Sequence, residues 1–102
     1  MKTSDELLAL VMDENLSYPR RAYYVDLLGS VKCTPEIEKC LCALANHASP
    51  LIREGVVRAL DKLTELEKFA FVTLQQMKIK ETSPAVRMVI EDALATGEWF
   101  ED

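Results

Sequence analysis

The chain has 102 residues, of which 49% are hydrophobic and 28% are charged, a balance typical of one globular domain and not of a disordered chain. A net charge of -5 argues against a general binder of nucleic acids or anionic membranes, because both functions need a basic surface. No apolar run approaches the roughly 18 residues of a membrane span, and the acidic start carries no export signal, so we expect a cytoplasmic protein.

Two long helices are predicted in the first third of the chain. Three glycines and four prolines leave little material for turns, which favours a few long elements over many short strands. Thr3 and Glu6 have the spacing of a capping box, and the helix that they open should end near Asn15. A second helix should begin within residues 17–19, with Gly29 near its end.

Four further helices follow, each with its own start signal. A hydroxyl residue followed by proline opens the third, fourth and sixth helices, at residues 34–35, 49–50 and 83–84. A second capping box, Thr64 with Glu67, is predicted to open the fifth helix. The apolar residues that line one face of the fourth helix are Ile52, Val56, Ala59, Leu60 and Leu63.

Part of the sequence is repeated. The segment SPLIREGVVRAL starts at Ser49, and the similar segment SPAVRMVIEDAL starts 34 residues later at Ser83. A weaker copy starts at Ser17, 32 residues before the second, and aligns Arg21 with Arg53. Three copies of a helix pair at nearly constant spacing are typical of an all-α solenoid, in which each pair buries its apolar face against the next. The predicted repeats span residues 3–32, 34–63 and 64–97, followed by a tail of residues 98–102.

The repeated segment resembles the second helix of short HEAT-like repeats. Ile52-Arg53 and Val86-Arg87 correspond to the Val-Arg pair of that family, and each helix closes with Ala-Leu. The resemblance implies a right-handed solenoid, in which Arg53 and Arg87 reach an acidic group in an adjacent repeat; binding of a partner by these arginines is the alternative. The first copy departs from the family, because Arg20 stands where a branched apolar residue belongs.

The same resemblance implies that the second helices of the repeats line one concave face, where a protein partner would bind. Non-core positions of these helices form three columns, which are Ala22, Glu54 and Met88; Tyr23, Gly55 and Val89; and Asp26, Arg58 and Asp92. Seven of these are predicted to contact the partner: Tyr23, Asp26, Glu54, Gly55, Arg58, Met88 and Asp92. Tyrosine and methionine suit such a surface because they offer a large contact area with a polar or adaptable end.

Two further features have alternative interpretations. Gly55 lies in mid-helix, where glycine costs about 1 kcal/mol against alanine, so either a neighbouring backbone or a partner should approach it closely. Trp99 and Phe100 in the tail either cap the apolar flank of the last repeat or dock a partner.

No catalytic residue, metal site or cofactor is predicted. His47 follows Cys40 by seven residues, which on one helix separates them by about 10 Å and prevents a direct Cys–His pair. Cys33, Cys40 and Cys42 lack the spacing of a zinc site and are expected to be reduced.

The sequence therefore predicts a non-catalytic protein–protein interaction module, acting as an adaptor, inhibitor or subunit. Three alternatives remain open: a nucleic-acid-binding HEAT-like domain, an accessory factor for a cofactor or ligand, and a structural subunit that assembles with copies of itself.

Overall fold

A computed structural model describes residues 2–63 and 67–96 of the chain. Over these residues the chain is all-helical with no strand, which confirms the predicted fold class at the level of six helices. The helices are α1 (Ser4–Val11), α2 (Tyr18–Leu27), α3 (Pro35–Leu44), α4 (Pro50–Leu63), α5 (Lys68–Lys80) and α6 (Pro84–Thr96). A 3-10 turn over Leu28–Ser30 follows α2 directly. The predictions for Trp99 and Phe100 lie outside the described residues.

Local side-chain chemistry sets the starts of α1 and α3. The Thr3 hydroxyl accepts a hydrogen bond from the Glu6 amide at 3.2 Å, and the Glu6 carboxylate accepts one from the Thr3 amide at 3.3 Å. The Thr34 hydroxyl accepts a hydrogen bond from the Ile37 amide at 3.3 Å, with Pro35 in the first helical position. Both starts satisfy amide groups that the helix leaves without an internal partner.

Two predicted boundaries are wrong. Helix α1 ends at Val11 and not near Asn15, because the Asn15 amide donates to the Asp13 carboxylate at 2.9 Å in a turn that competes with the helix. Helix α5 begins at Lys68, and Glu67 is its N-cap with extended backbone. Glu67 therefore cannot be the third helical residue of a capping box, and Thr64 lies outside the described residues.

Helix α4 is the centre of the molecule and contacts α2, α3, α5 and α6. Helices α2 and α6 also contact the helices that precede them, α1 and α5. The five predicted core positions of α4 are buried, which confirms its apolar face: Ile52, Val56, Ala59, Leu60 and Leu63. Buried side chains from α1, α2, α3, α5 and α6 join them in one core.

Two glycines allow α2 and α4 to approach each other closely. A Cβ atom added at Gly55 of α4 would lie 2.7 Å from the Ala22 carbonyl oxygen of α2. A Cβ atom added at Gly29, in the 3-10 turn, would lie 2.5 Å from the Ala59 carbonyl oxygen of α4. Both distances are too short for a real side chain, so glycine at these positions sets the distance between the two helices.

Candidate functional site

The most exposed predicted contact residues lie at the two flanks of α4. Tyr23 of α2 is 60% exposed, and Met88 of α6 is 71% exposed. Between them on α4, the Arg58 guanidinium donates to the Glu54 carboxylate at 3.2 Å, one helical turn away. We call the surface formed by Tyr23, Glu54, Arg58, Met88 and Asp92 the second-helix face.

Gly55 does not belong to this surface. It is buried against the backbone of Ala22, so the neighbouring helix, and not a partner, accounts for the glycine. Val89, at the equivalent position of α6, is half-buried against the core. The column of Tyr23, Gly55 and Val89 is therefore exposed only at Tyr23.

Asp26 and Asp92 have different surroundings. The Asp26 carboxylate is half-buried and forms an ion pair with Lys62 of α4, which also donates to the Ser30 hydroxyl at 3.2 Å. Asp26 thus has a structural role, because its ion pair joins α2 to α4. Asp92 is exposed on α6, and burial followed by the charge of Asp92 raises the pKa of Asp61 on α4.

Arg53 connects α4 to the segment between α5 and α6. Its Nε and Nη2 atoms each donate to one carboxylate oxygen of Glu81 at 2.8 Å, in a bidentate pair. Its Nη1 atom donates to the backbone carbonyls of His47 at 2.8 Å and Ala48 at 3.0 Å. Glu81 is only 6% exposed, and its hydrogen bonds with Arg53 hold its pKa below the ordinary value.

Arg87 has a different set of partners. Its Nη1 atom donates to the Glu81 carbonyl at 3.0 Å, and its Nη2 atom lies 3.9 Å from the Glu91 carboxylate. These partners lie between α5 and α6 or on α6 itself, so among the described residues Arg87 braces its own helix pair and not an adjacent one.

His47 lies in the connection between α3 and α4, where two clefts meet. One cleft, of about 310 Å³, reaches towards the α5–α6 connection and includes Cys42 and Arg53. The other, of about 520 Å³, reaches towards the α1–α2 connection and includes Tyr18 and Arg21. The His47 Nδ1 atom accepts a hydrogen bond from the Ser49 amide at 2.9 Å.

The cysteines are all free thiols. Burial raises the pKa of Cys33 and of Cys40, which keeps both groups protonated at neutral pH and makes them weak nucleophiles. Within residues 2–63 and 67–96, no three His, Cys, Asp or Glu side chains are grouped so that they could hold a metal ion.

Sequence reasoning missed Glu81 and the structural role of His47. The signal was present in the repeat, because His47 and Glu81 are separated by the same 34 residues as Ser49 and Ser83. Both residues lie outside the repeated helical segments, His47 in the connection before α4 and Glu81 in the connection before α6.

Among the helices of the described part of the chain, none combines the length and the apolar character that crossing a bilayer requires. Comparisons of the chain with protein-family models, with curated proteins and with solved structures find no match.

Proposed function

We propose that this chain is a HEAT-like solenoid of three helix pairs that binds another protein on its second-helix face and carries out no chemistry of its own. One observation carries the proposal: Tyr23 and Met88 are 60% and 71% exposed on either side of the Glu54–Arg58 pair. Aromatic and methionine side chains are enriched at the centres of protein interfaces. The neighbouring charges favour one orientation of the partner and a faster association.

The arrangement of the helices supports this proposal. Helix α4 lies between α2 and α6 and contacts both, so exposed residues of the three helices can meet one partner. Within this face, the ion pair of Arg58 with Glu54 restricts both charged side chains. A surface ordered before binding loses less side-chain entropy when a partner docks.

The test compares two triple variants that carry matched changes on different helices. The first, Tyr23→Ala with Arg58→Glu and Met88→Ala, alters the second-helix face. The control changes exposed residues of α5: Val72→Ala, Lys78→Glu and Ile79→Ala, of which Val72 and Ile79 are 45% and 84% exposed. Circular dichroism and urea unfolding must first show that both variants fold as the wild type does.

Each protein is then used to capture partners from the native cell extract, and the partner is purified for binding isotherms. We expect a stoichiometric protein with the wild type and with the α5 variant. The second-helix variant should bind the purified partner at least about tenfold more weakly, which is about 1.4 kcal/mol. Loss of the partner by the α5 variant alone would place the interface on α5.

Self-assembly and nucleic-acid binding, the alternative functions, would each give a different result with the purified wild-type protein. Capture of no partner together with a concentration-dependent increase in size on gel filtration would favour self-assembly. A salt-dependent mobility shift with DNA would favour nucleic-acid binding. The net charge of -5 predicts that no such shift occurs.

A further inference from the structure

His47 and Glu81 occupy equivalent places in successive helix pairs. Each lies two residues before the serine of a Ser-Pro start, and each accepts a hydrogen bond from that serine's amide, at 2.9 Å for His47 and 3.0 Å for Glu81. The carbonyl of each accepts a hydrogen bond from the arginine of the helix that follows, Arg53 or Arg87. His47 therefore fulfils the same local role as Glu81 without supplying a carboxylate.

The arginine that faces His47 is Arg21, which aligns with Arg53. Arg21 is 6% exposed, and its Nε atom donates to the Val11 carbonyl at 3.0 Å. No carboxylate of the described residues lies within ion-pair distance of its guanidinium, whereas Arg53 has Glu81 at 2.8 Å. Among the described residues no fully enclosed side-chain nitrogen lacks a hydrogen-bond partner, so the Nη atoms of Arg21, for which no bond is found, keep some contact with solvent.

Arg21 lines the open cleft of about 520 Å³ together with Tyr18 and His47. The rings of Tyr18 and His47 meet edge to face, with their centroids 5.6 Å apart, and form one wall. Glu14 also lines the cleft, but it is exposed and forms no ion pair with Arg21. The guanidinium thus opens into a space that a small ligand can enter.

His47 lines this cleft as well as the cleft near the α5–α6 connection. Burial, and then the charges of Arg21 and Arg53, lower the pKa of His47, so the imidazole is neutral at pH 7. Because Nδ1 accepts from Ser49, the hydrogen-bond network assigns the imidazole proton to Nε2, which leaves an N–H donor. Arg53 lines the other cleft and is paired with Glu81, whereas Arg21 lines this cleft and has no paired anion among the described residues.

We propose that the cleft between the α1–α2 and α3–α4 connections binds a carboxylate, which takes beside Arg21 the place that Glu81 takes beside Arg53. A guanidinium matches the two oxygens of a carboxylate with two parallel N–H groups. One cation suits a monoanion better than a phosphate dianion, which Glu14 at the rim would also repel. The ligand is either a small free carboxylate or the carboxylate of a peptide, and the site does not depend on the second-helix face.

His47 is the only histidine of the chain, so its nuclear magnetic resonance signals report on this cleft directly. The probes are acetate, N-acetylglycine as a peptide carboxyl terminus, N-acetylglycinamide as the same molecule without the carboxylate, and inorganic phosphate, all at constant ionic strength. We expect saturable shifts of the His47 Cε1–H signal with both carboxylates and none with the amide. The bound anion should also raise the pKa of His47. Tighter binding of N-acetylglycine than of acetate would indicate a peptide as the source, and equal binding a small free carboxylate.

Two neighbouring arginines give a matched pair of variants. Arg21→Gln should weaken acetate binding by at least about tenfold, because a hydrogen bond to a charged group is lost. Arg20→Gln removes the same charge from an exposed residue outside the cleft and should change binding less than about twofold. If Arg21→Gln does not fold, Arg21→Lys replaces it, since it keeps the charge but loses the planar fork, and it should bind several-fold more weakly. Shifts that do not saturate, equal weakening by both arginine changes, or tighter binding of phosphate than of acetate would overturn the proposal.

Discussion

Two junctions in this molecule are built on equivalent positions but are stabilised differently. At one, Arg53 of α4 forms a bidentate pair with buried Glu81 at 2.8 Å. At the other, Arg21 of α2 faces His47, which carries no negative charge. The residue type at one position of a connection thus decides whether the arginine that faces it has a carboxylate partner, while Arg21 keeps its bond to the Val11 carbonyl.

Where α2 meets α4, close packing of the two backbones adds to the Asp26–Lys62 ion pair. Gly55 against Ala22 and Gly29 against Ala59 allow the backbones of α2 and α4 to meet without side chains between them. On α6 the residue that aligns with Gly55 is Val89, whose side chain is half-buried against the core. The close approach adds dispersion contacts between the backbones of α2 and α4.

The largest effect is expected when the carboxylate is removed from the Arg53 junction. Glu81→Gln leaves the Arg53 guanidinium without its anion, and we predict a loss of about 3 kcal/mol in the free energy of unfolding. This lies at the low end for buried pairs because the Arg53 side chain keeps 16% exposure. Urea unfolding measures it.

Glu91→Gln is the control, because this carboxylate is 54% exposed and lies 3.9 Å from Arg87. It should cost less than about 0.5 kcal/mol. Equal losses for the two variants would show that the Arg53–Glu81 pair is not a stabilising brace.

The close packing of α2 against α4 is tested by Gly55→Ala. Alanine should gain about 1 kcal/mol in helix propensity, but its methyl group would meet the Ala22 carbonyl, and overpacking costs about 1–3 kcal/mol. Because the clash is with backbone, we predict a net loss of about 1–2 kcal/mol, measured by urea unfolding.

The matched control is Val89→Ala at the aligned position of α6. It only shortens a half-buried side chain, so the free energy of unfolding should fall by about 1 kcal/mol or less. Stabilisation by Gly55→Ala would mean that the helices can separate freely, and that close packing is not what holds α2 to α4.

His47→Glu should place a carboxylate beside Arg21, as Glu81 places one beside Arg53. The new carboxylate can pair with Arg21 and can still accept from the Ser49 amide, as Glu81 does from Ser83. We predict about 1 kcal/mol more stability than in His47→Gln, which keeps an acceptor without the charge. The glutamate variant should also lose acetate binding. A glutamate variant no more stable than the glutamine variant would contradict the equivalence of the two junctions.

The smallest effects are expected in the dependence of stability on pH. The pKa of His47 is lowered from its ordinary value of 6.5, so its contribution is present above about pH 6.5 and is lost as the pH falls towards the folded-state pKa. The pKa of Glu81 is lowered from 4.5, so its contribution is lost in the same direction at lower pH.

Urea unfolding between pH 3 and pH 8 should therefore show two declines in stability with falling pH. His47→Gln should remove the upper decline alone, and Glu81→Gln should reduce the lower one. An upper decline unchanged in His47→Gln would show that another group is responsible.

The sequence predicted what depends on local chemistry. The capping groups of Thr3 and Thr34 act within one helical turn, and the apolar face of α4 follows from helical spacing, so both were accessible without a structure. The end of α1 was missed, because a turn at Asp13 competes with the helix over only two residues.

The candidate sites were predicted less completely, because they depend on distant parts of the chain. Arg53 and Glu81 are 28 residues apart, and only the packing of α4 against the α5–α6 connection brings them together. Gly55 required a choice between a neighbouring helix and a partner, which periodicity cannot make. The equivalence of His47 and Glu81 depends on hydrogen bonds in the connections before α4 and α6, which helical spacing does not predict.

The most direct test of the difference between Arg21 and Arg53 is a double-mutant cycle between residues 21 and 47. Urea unfolding would be measured for His47→Glu and His47→Gln, each with Arg21 intact and with Arg21→Gln. If Arg21 lacks the anion that Arg53 has, the glutamate should stabilise the chain only when Arg21 is present, with a coupling energy of about 1–2 kcal/mol. A coupling energy near zero would show that residue 47 and Arg21 do not form the counterpart of the Arg53–Glu81 pair.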